Sequence, residues 1–313
     1  MNRRSRGCTG VFLALVYLAA FARAGSAPGA PAPARALLGC WQSEADPSFR
    51  ILFEKERALL AYGELVQVAH VLDYGEETIR LRCWGRRAVW RAVVTDGRLA
   101  LSAAGEELLL LPPGATFRRV EQPAEELARQ TRPLPLPASH PLDAQRVAAI
   151  RAELEKRAVA DQEVRHKPVP PGETQRVDGE NTRYLRGLLQ EVGWIDKERF
   201  SNEAATAAFL LVQHSPNLSL MLAALPHVER AAHQARRDGE AFALLYDRVQ
   251  VRLGEKQRYG TQCRITPNGE FQVYPLQDRA RVDEFRAGLG LGPLAGYLAN
   301  LSAGRPVRFL EAN

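Results

Sequence analysis

Thr78-Ile79-Arg80-Leu81-Arg82-Cys83-Trp84 decides how the first half of the chain folds. Ile79, Leu81 and Cys83 alternate with Arg80, Arg82 and Trp84. A period of two puts the first set on a core and the second in water, as a half-buried strand requires. Runs of the same character lie on either side, at 49–53, 65–72, 88–94, 98–101 and 107–111. They recur about every ten residues and are parted by Tyr-Gly, Trp-Gly and Asp-Gly turn signals, which predicts an up-and-down antiparallel sheet or small barrel over 39–120.

Composition sets the outer bounds. With 313 residues, 46% hydrophobic and 25% charged, the chain can bury a core and has room for about two domains. Its 24 Gly, 20 Pro and 4 Cys fit neither a collagen-like chain nor a small disulfide scaffold.

Ahead of the strands, Asn2-Arg3-Arg4-Ser5-Arg6-Gly7 is basic, 11–22 is apolar, and Ala22-Arg23-Ala24 has small residues at both signal-peptidase positions. This layout predicts a cleaved signal peptide over 1–24, hence export to the periplasm or the medium, with no stable transmembrane span after cleavage. Cleavage removes four arginines and no acid, lowering the formal charge from +6 to +2, too small an excess to predict a nucleic-acid partner. A Pro/Ala-rich linker fills 25–38 and separates Leu37-Leu38-Gly39-Cys40 from the apolar run, so this lipobox-like tetrad is too distant for lipidation. Cys40, Cys83 and Cys263 then remain, and in an oxidising compartment Cys40 with Cys83 is the expected bridge, with buried free thiols the alternative.

Five prolines between Glu121 and Asp143 mark a second linker. Beyond it, over 144–313, the period changes to that of helices. Helices are expected at 144–166, 181–192, 203–214 (capped by Ser201 or Asn202), 218–237 with a kink at Pro226 and a stop at Gly239, and 240–253. Pro267-Asn268-Gly269 joins a β-hairpin over 261–274, and short helices follow at 280–287 and 293–301. The fold class is therefore α+β: a small antiparallel barrel or sheet, then a mainly helical domain with one hairpin.

Gly39-Cys40-Trp41 at the start of the first strand and Phe117-Arg118-Arg119 at the end of the last resemble a small lipocalin-like domain. The resemblance implies that Trp41 seals the barrel floor and that Arg118 or Arg119 stacks on its indole. The barrel's interior is expected to be filled by side chains. Leu211-Val212-Gln213-His214-Ser215, Tyr246-Asp247-Arg248-Val249, Gln257-Arg258-Tyr259-Gly260-Thr261-Gln262 and Gly290-Leu291-Gly292-Pro293-Leu294 are similar to an uncharacterised family of bacterial domains of unknown function. That resemblance implies no reaction. It departs from the pattern at Gln277, where an acid is expected.

Three residues are candidates for acid–base chemistry. His214 ends an apolar helix, as a base or as a C-terminal cap. If the helices on either side of Gly239 form a hairpin, His227 falls beside Asp247 and Arg248, either as an oriented base or as a structural hydrogen bond. Gln213, Arg248, Gln257, Tyr259, Thr261 and Gln262 form a second set, suited to a polar or anionic ligand or to satisfying their own turn. No cofactor motif is present. His214 and His227 are about 15 Å apart along the axis, too far for a shared metal. The leading expectation is an exported bacterial protein whose helical module binds a polar ligand or an envelope component. A hydrolase with a His base and Arg248 stabilising negative charge is the alternative, and a structural interaction protein the second alternative.

Overall fold

The computed structural model describes residues 34–104, 111, 114–121, 124–234, 238–266 and 268–311; the expected signal peptide, and all but the last residue of the expected strand at 107–111, lie outside them. A one-turn helix α1 (Ala34–Leu37) leads into β1 (Gly39–Ser43), β2 (Phe49–Phe53), β3 (Arg57–Tyr62), β4 (Leu65–Tyr74), β5 (Thr78–Cys83), β6 (Arg86–Thr95), β7 (Arg98–Ala103) and β8 (Ala115–Val120). Each strand pairs with the next, and β8 returns to β1 with Trp41 opposite Arg119, so the sheet closes into an antiparallel barrel and leaves no free edge.

Inward side chains fill the barrel: Trp41, Phe49, Ile51, Phe53, Leu81, Trp90 and Phe117 are at most 1% exposed. Phe49 lies flat on Tyr62 at 4.1 Å and edge-on to Phe117 at 5.3 Å. Leu37 is buried beside Trp41, whose indole Nε1 donates to the Leu37 carbonyl at 2.8 Å. The guanidinium of Arg119 sits 5.6 Å from the Trp41 ring and donates to the carbonyl of Leu38. Arg118 instead reaches Gln42. Arg119→Ala is therefore expected to cost about 1 kcal/mol, read from the urea midpoint, whereas Arg118→Ala should leave that midpoint nearly unchanged.

Part of the barrel's outer wall is also covered. Leu52, Leu59, Ala61, Val66 and Val68 point outward with Cys40, and α2 (Ala124–Arg129) lays Leu127 and Ala128 over them. This arrangement overturns the expected Cys40–Cys83 bridge. Cys40 belongs to the outer cluster and Cys83 to the inner one, and Cys40, Cys83 and Cys263 are free thiols. The second Pro-rich segment is likewise docked: Leu134 is buried in the helical core and its N–H donates to Ser219 O at 3.0 Å.

The second unit comprises α3 (Ala144–His166), α4 (Glu173–Val192), α5 (Asn202–His214), α6 (Leu218–Gln234), α7 (Gly239–Arg252), β9 (Cys263–Ile265), β10 (Phe271–Val273), α8 (Val282–Gly288), α9 (Leu294–Ser302) and β11 (Val307–Phe309). Ser201 caps α5 by accepting from Ala204 N. Helix α6 runs on through Pro226, and Gly239 starts α7 rather than ending α6. The expected hairpin forms as β9 and β10, and β11 adds a parallel strand on the far side of β10.

The two units share a seam. Trp84, expected to face water, is 5% exposed and sits in the left-handed region at φ 57°. Its backbone N–H donates to Gly254 O at 2.5 Å and its indole Nε1 to Val251 O at 2.9 Å. The amide of Gln67 donates to Val251 O and Arg252 O at 2.9 and 3.2 Å. These carbonyls belong to the last turn of α7 and the residues just past it, which have few intrahelical partners. The barrel thus caps α7, and Val251 enters the barrel's own core.

Candidate functional site

Helix α3 has a weak apolar stripe, and its buried positions are Ile150, Leu154 and Asp161. At Asp161 the stripe continues with a carboxylate in place of an apolar residue. Burying that charge requires partners, and the neighbouring helices supply them. From α5, His214 Nδ1 lies 2.7 Å from Asp161 Oδ2, with the two side chains 6% and 1% exposed. From α3 itself, Arg165 Nη1 lies 3.0 Å from Asp161 Oδ1, and its Nη2 reaches Asp178 of α4 at 2.6 Å.

Burial lowers the His214 pKa below the ordinary histidine value, against the opposing pull of Asp161. The ring is therefore neutral near pH 7, and the carboxylate holds the Nδ1–H tautomer. Burial raises the pKa of Asp178, partly offset by Arg165. Ser215 and Thr182 close the cluster on one side, with their hydroxyls 2.8 Å apart, and Ser215 Oγ also accepts from Asn217 N.

Arg248 projects from α7 toward the same place. It donates to the backbone carbonyl of Gln213 and, through Nε, to Gln262 Oε1 at 3.2 Å. Gln213 is 1% exposed, yet among the described residues neither Oε1 nor Nε2 of its amide has a hydrogen-bond partner. The amide of Gln262 donates to Leu244 O and Thr261 Oγ1. Gln213, His214, Arg248 and Gln262 thus lie close together, and Asp161, Arg165 and Asp178, which the sequence does not single out, join them.

The other candidates are engaged elsewhere. Asp247 is fully buried, and its two oxygens accept from Arg258 N, Tyr259 N, Thr261 N and Thr261 Oγ1 at 2.7 to 3.1 Å. The carboxylate is the spool around which the 258–261 loop winds, and Gly260 turns that loop at φ +74° against Leu294. Gln257 is satisfied at both ends, by Gln262 N, Gln262 O and Tyr274 O. Tyr259 packs edge-on to Phe242 and Tyr246. The expected neighbourhood of His227 and Asp247 does not form: the imidazole stacks on Trp194 at 5.2 Å. Gln277 uses its side chain on the carbonyl of Lys256. Cys263, at the edge of the hairpin, is held as a thiol because burial pushes its pKa up to about 12. Among the described residues no group of three or more His, Cys, Asp or Glu is placed to hold a metal ion, and no helix is long and apolar enough to cross a membrane.

A family of unknown function, DUF6624, matches residues 151–307. The chain belongs to this family. The DUF6624 segment begins inside α3 and ends at the first residue of β11, so every member of the polar cluster lies within it, while Gln67 and Trp84, which cap α7, lie outside. Comparison with curated proteins and with solved structures returned no match.

Proposed function

We propose that the helical unit is a binding module for a polar ligand, presented by an exported bacterial protein and aimed at an envelope component. Export is supported by the basic start, the apolar run and the Ala22-Arg23-Ala24 site. Binding is supported above all by the Gln213 amide. A buried amide with neither donor nor acceptor used costs about 1–3 kcal/mol, and native interiors retain such a group where something else supplies the missing bonds. Arg248, anchored on the same residue's carbonyl, places a charged donor beside it.

The test is thermal stabilisation of the full chain by soluble peptidoglycan fragments, free amino sugars and amino acids. Binding of at least one of them, lost in Gln213→Leu, is expected; no shift with any of them overturns the reading. Gln213→Leu is itself informative without a ligand. Removing the unmatched amide should raise stability in urea by about 1 kcal/mol, and a loss of similar size would mean that the amide is satisfied within the protein.

The Asp161–His214 pair favours one other reading, a hydrolase in which Asp161 orients the imidazole as base and Arg248 stabilises developing charge. Its measurement is hydrolysis of activated esters by the full chain, with the rate abolished in His214→Gln. Ser215 and Cys263 make poor nucleophiles here, since the first is tied to Thr182 and Asn217 and the second is held protonated.

A further inference from the structure

The small sheet of the helical unit ends in an open edge. Its order is β11-β10-β9, and among the described strands β11 (Val307–Phe309) pairs with β10 alone. The amide of Leu310 donates to Val273 O at 2.9 Å. Alternate residues of a strand bond to alternate sides, so Arg308 and Leu310 face β10, and the N–H and C=O groups of Val307 and Phe309 turn to the free side. The side chains of the same two residues line a hollow of about 430 Å³. Arg308 points to the opposite face, beside Glu270 at 3.6 Å. Across the hollow stands α9, where Leu298 gives an apolar wall and Ala295 and Ala299, one turn apart, leave room.

We propose that this edge takes up an extended, uncharged peptide segment of another protein as a fourth strand, with alternate side chains in the hollow. Backbone geometry selects the peptide. A strand about 4.8 Å beyond β11 presents C=O and N–H groups at the spacing of those on Val307 and Phe309, and turns side chains toward Ala295 and Ala299. An apolar small molecule would cover those backbone groups without pairing them.

Charge sets the second requirement. From Asp278 to Glu311, with Glu270 added as the partner of Arg308, there are five basic and five acidic residues. Arg279 pairs with Glu311, Arg281 with Glu284, and Arg308 with Glu270. Asp278 and Asp283 accept from backbone amides, while Arg286 and Arg305 donate to backbone carbonyls. The region therefore has no net charge for an ionic partner to answer, and a charged side chain pressed into the apolar hollow would lose its hydration unpaired. The complement is a neutral strand. A second copy of the chain fits less well, because the register that pairs β11 fully with its symmetry mate sets Arg308 opposite Arg308.

The experiment is a display selection of random decapeptides on the immobilised full chain, followed by titration of a synthesised winner by fluorescence anisotropy. Recovered peptides should alternate apolar and uncharged polar residues, and N-methylation of alternate amides on the face that meets β11 should abolish binding. Val307→Pro removes a free-edge donor and no ladder bond. Ala299→Leu fills the hollow from an exposed helical position. Each should weaken the peptide at least about tenfold with little change in melting temperature, and Ala299→Leu decides if Val307→Pro proves unstable. Gln213→Leu should bind as the native chain does, so the surface stands or falls apart from the binding-module reading. Recovery of no peptide, of charged peptides only, or of peptides that keep full affinity for Ala299→Leu overturns the proposal. A dimer in sedimentation that Ala299→Leu splits also overturns it, by giving the edge to a second copy.

Discussion

Gly254→Ala is expected to destabilise the protein by at least about 3 kcal/mol, seen as a fall in the urea midpoint and in the melting temperature. Two penalties act at this one position. Gly254 has φ +79°, a conformation that costs a side-chain-bearing residue about 1–2 kcal/mol. A Cβ placed there would also lie 2.5 Å from the backbone oxygen of Val68 on β4. That atom cannot swing aside as a side chain would, so strand and helix end must part. The bonds lost with them are those that cap α7: Trp84 N to Gly254 O and Trp84 Nε1 to Val251 O. The same variant should shift the emission of the buried Trp84 toward that of a solvated indole. Unchanged emission with a large loss of stability would place the damage in the backbone conformation alone and not in the seam.

The seam explains why much of the fold could be read from the sequence and some of it could not. Strands with one wet face, such as β5, announce themselves by alternation. Strand β3, Arg57-Ala58-Leu59-Leu60-Ala61-Tyr62, does not, because Leu59 and Ala61 are covered from outside by α2 while Ala58 and Leu60 face the barrel core. A strand buried on both sides loses its period. Trp84 departs from the expected exposure for a related reason: alternation ends where the backbone enters the left-handed region, and the indole turns back into the protein. Among the site residues, His214 stands out as the polar end of an apolar helix, Arg248 and Gln262 as polar groups at the junction of helix and hairpin, and Gln213 through the family resemblance. Asp161 did not, since an acid in the charged helix α3 looks like one more residue of a solvated face. The available signal was its position, seven residues after the buried Leu154 on the same stripe. His227 stacks on Trp194 and not beside Asp247 because spacing along a helix gives position on its axis but not rotation about it. Asp247, a candidate to orient His227, instead takes as partners four donors of the loop that follows it.

Removing the Asp161 carboxylate should be the most damaging single change in the helical unit. Asp161→Ala leaves His214 Nδ1 without its acceptor and strips Arg165 of one of two counter-charges, all within a cluster whose exposures run from 1% to 15%. Breaking a buried pair from one side costs about 3–5 kcal/mol. Asp161→Asn keeps an acceptor for the imidazole and should lose distinctly less. The same cluster fixes a pH dependence whose sign follows from His214. Its pKa in the folded chain is below the ordinary value of about 6.5, so on acidification the unfolded chain takes up the proton first. The contribution to stability is therefore complete above about pH 6.5 and declines as pH falls from there toward the folded pKa, with a limiting slope of about 1.4 kcal/mol per pH unit for one proton. His227, lowered chiefly by burial and next by Arg230, adds in the same direction. Urea midpoints measured from pH 8 to pH 5 should fall in that window, and His214→Gln should flatten the fall. If the native protein instead gained stability on acidification, the imidazole would be buried as a cation paired with Asp161, and the neutral, oriented base described above would not exist.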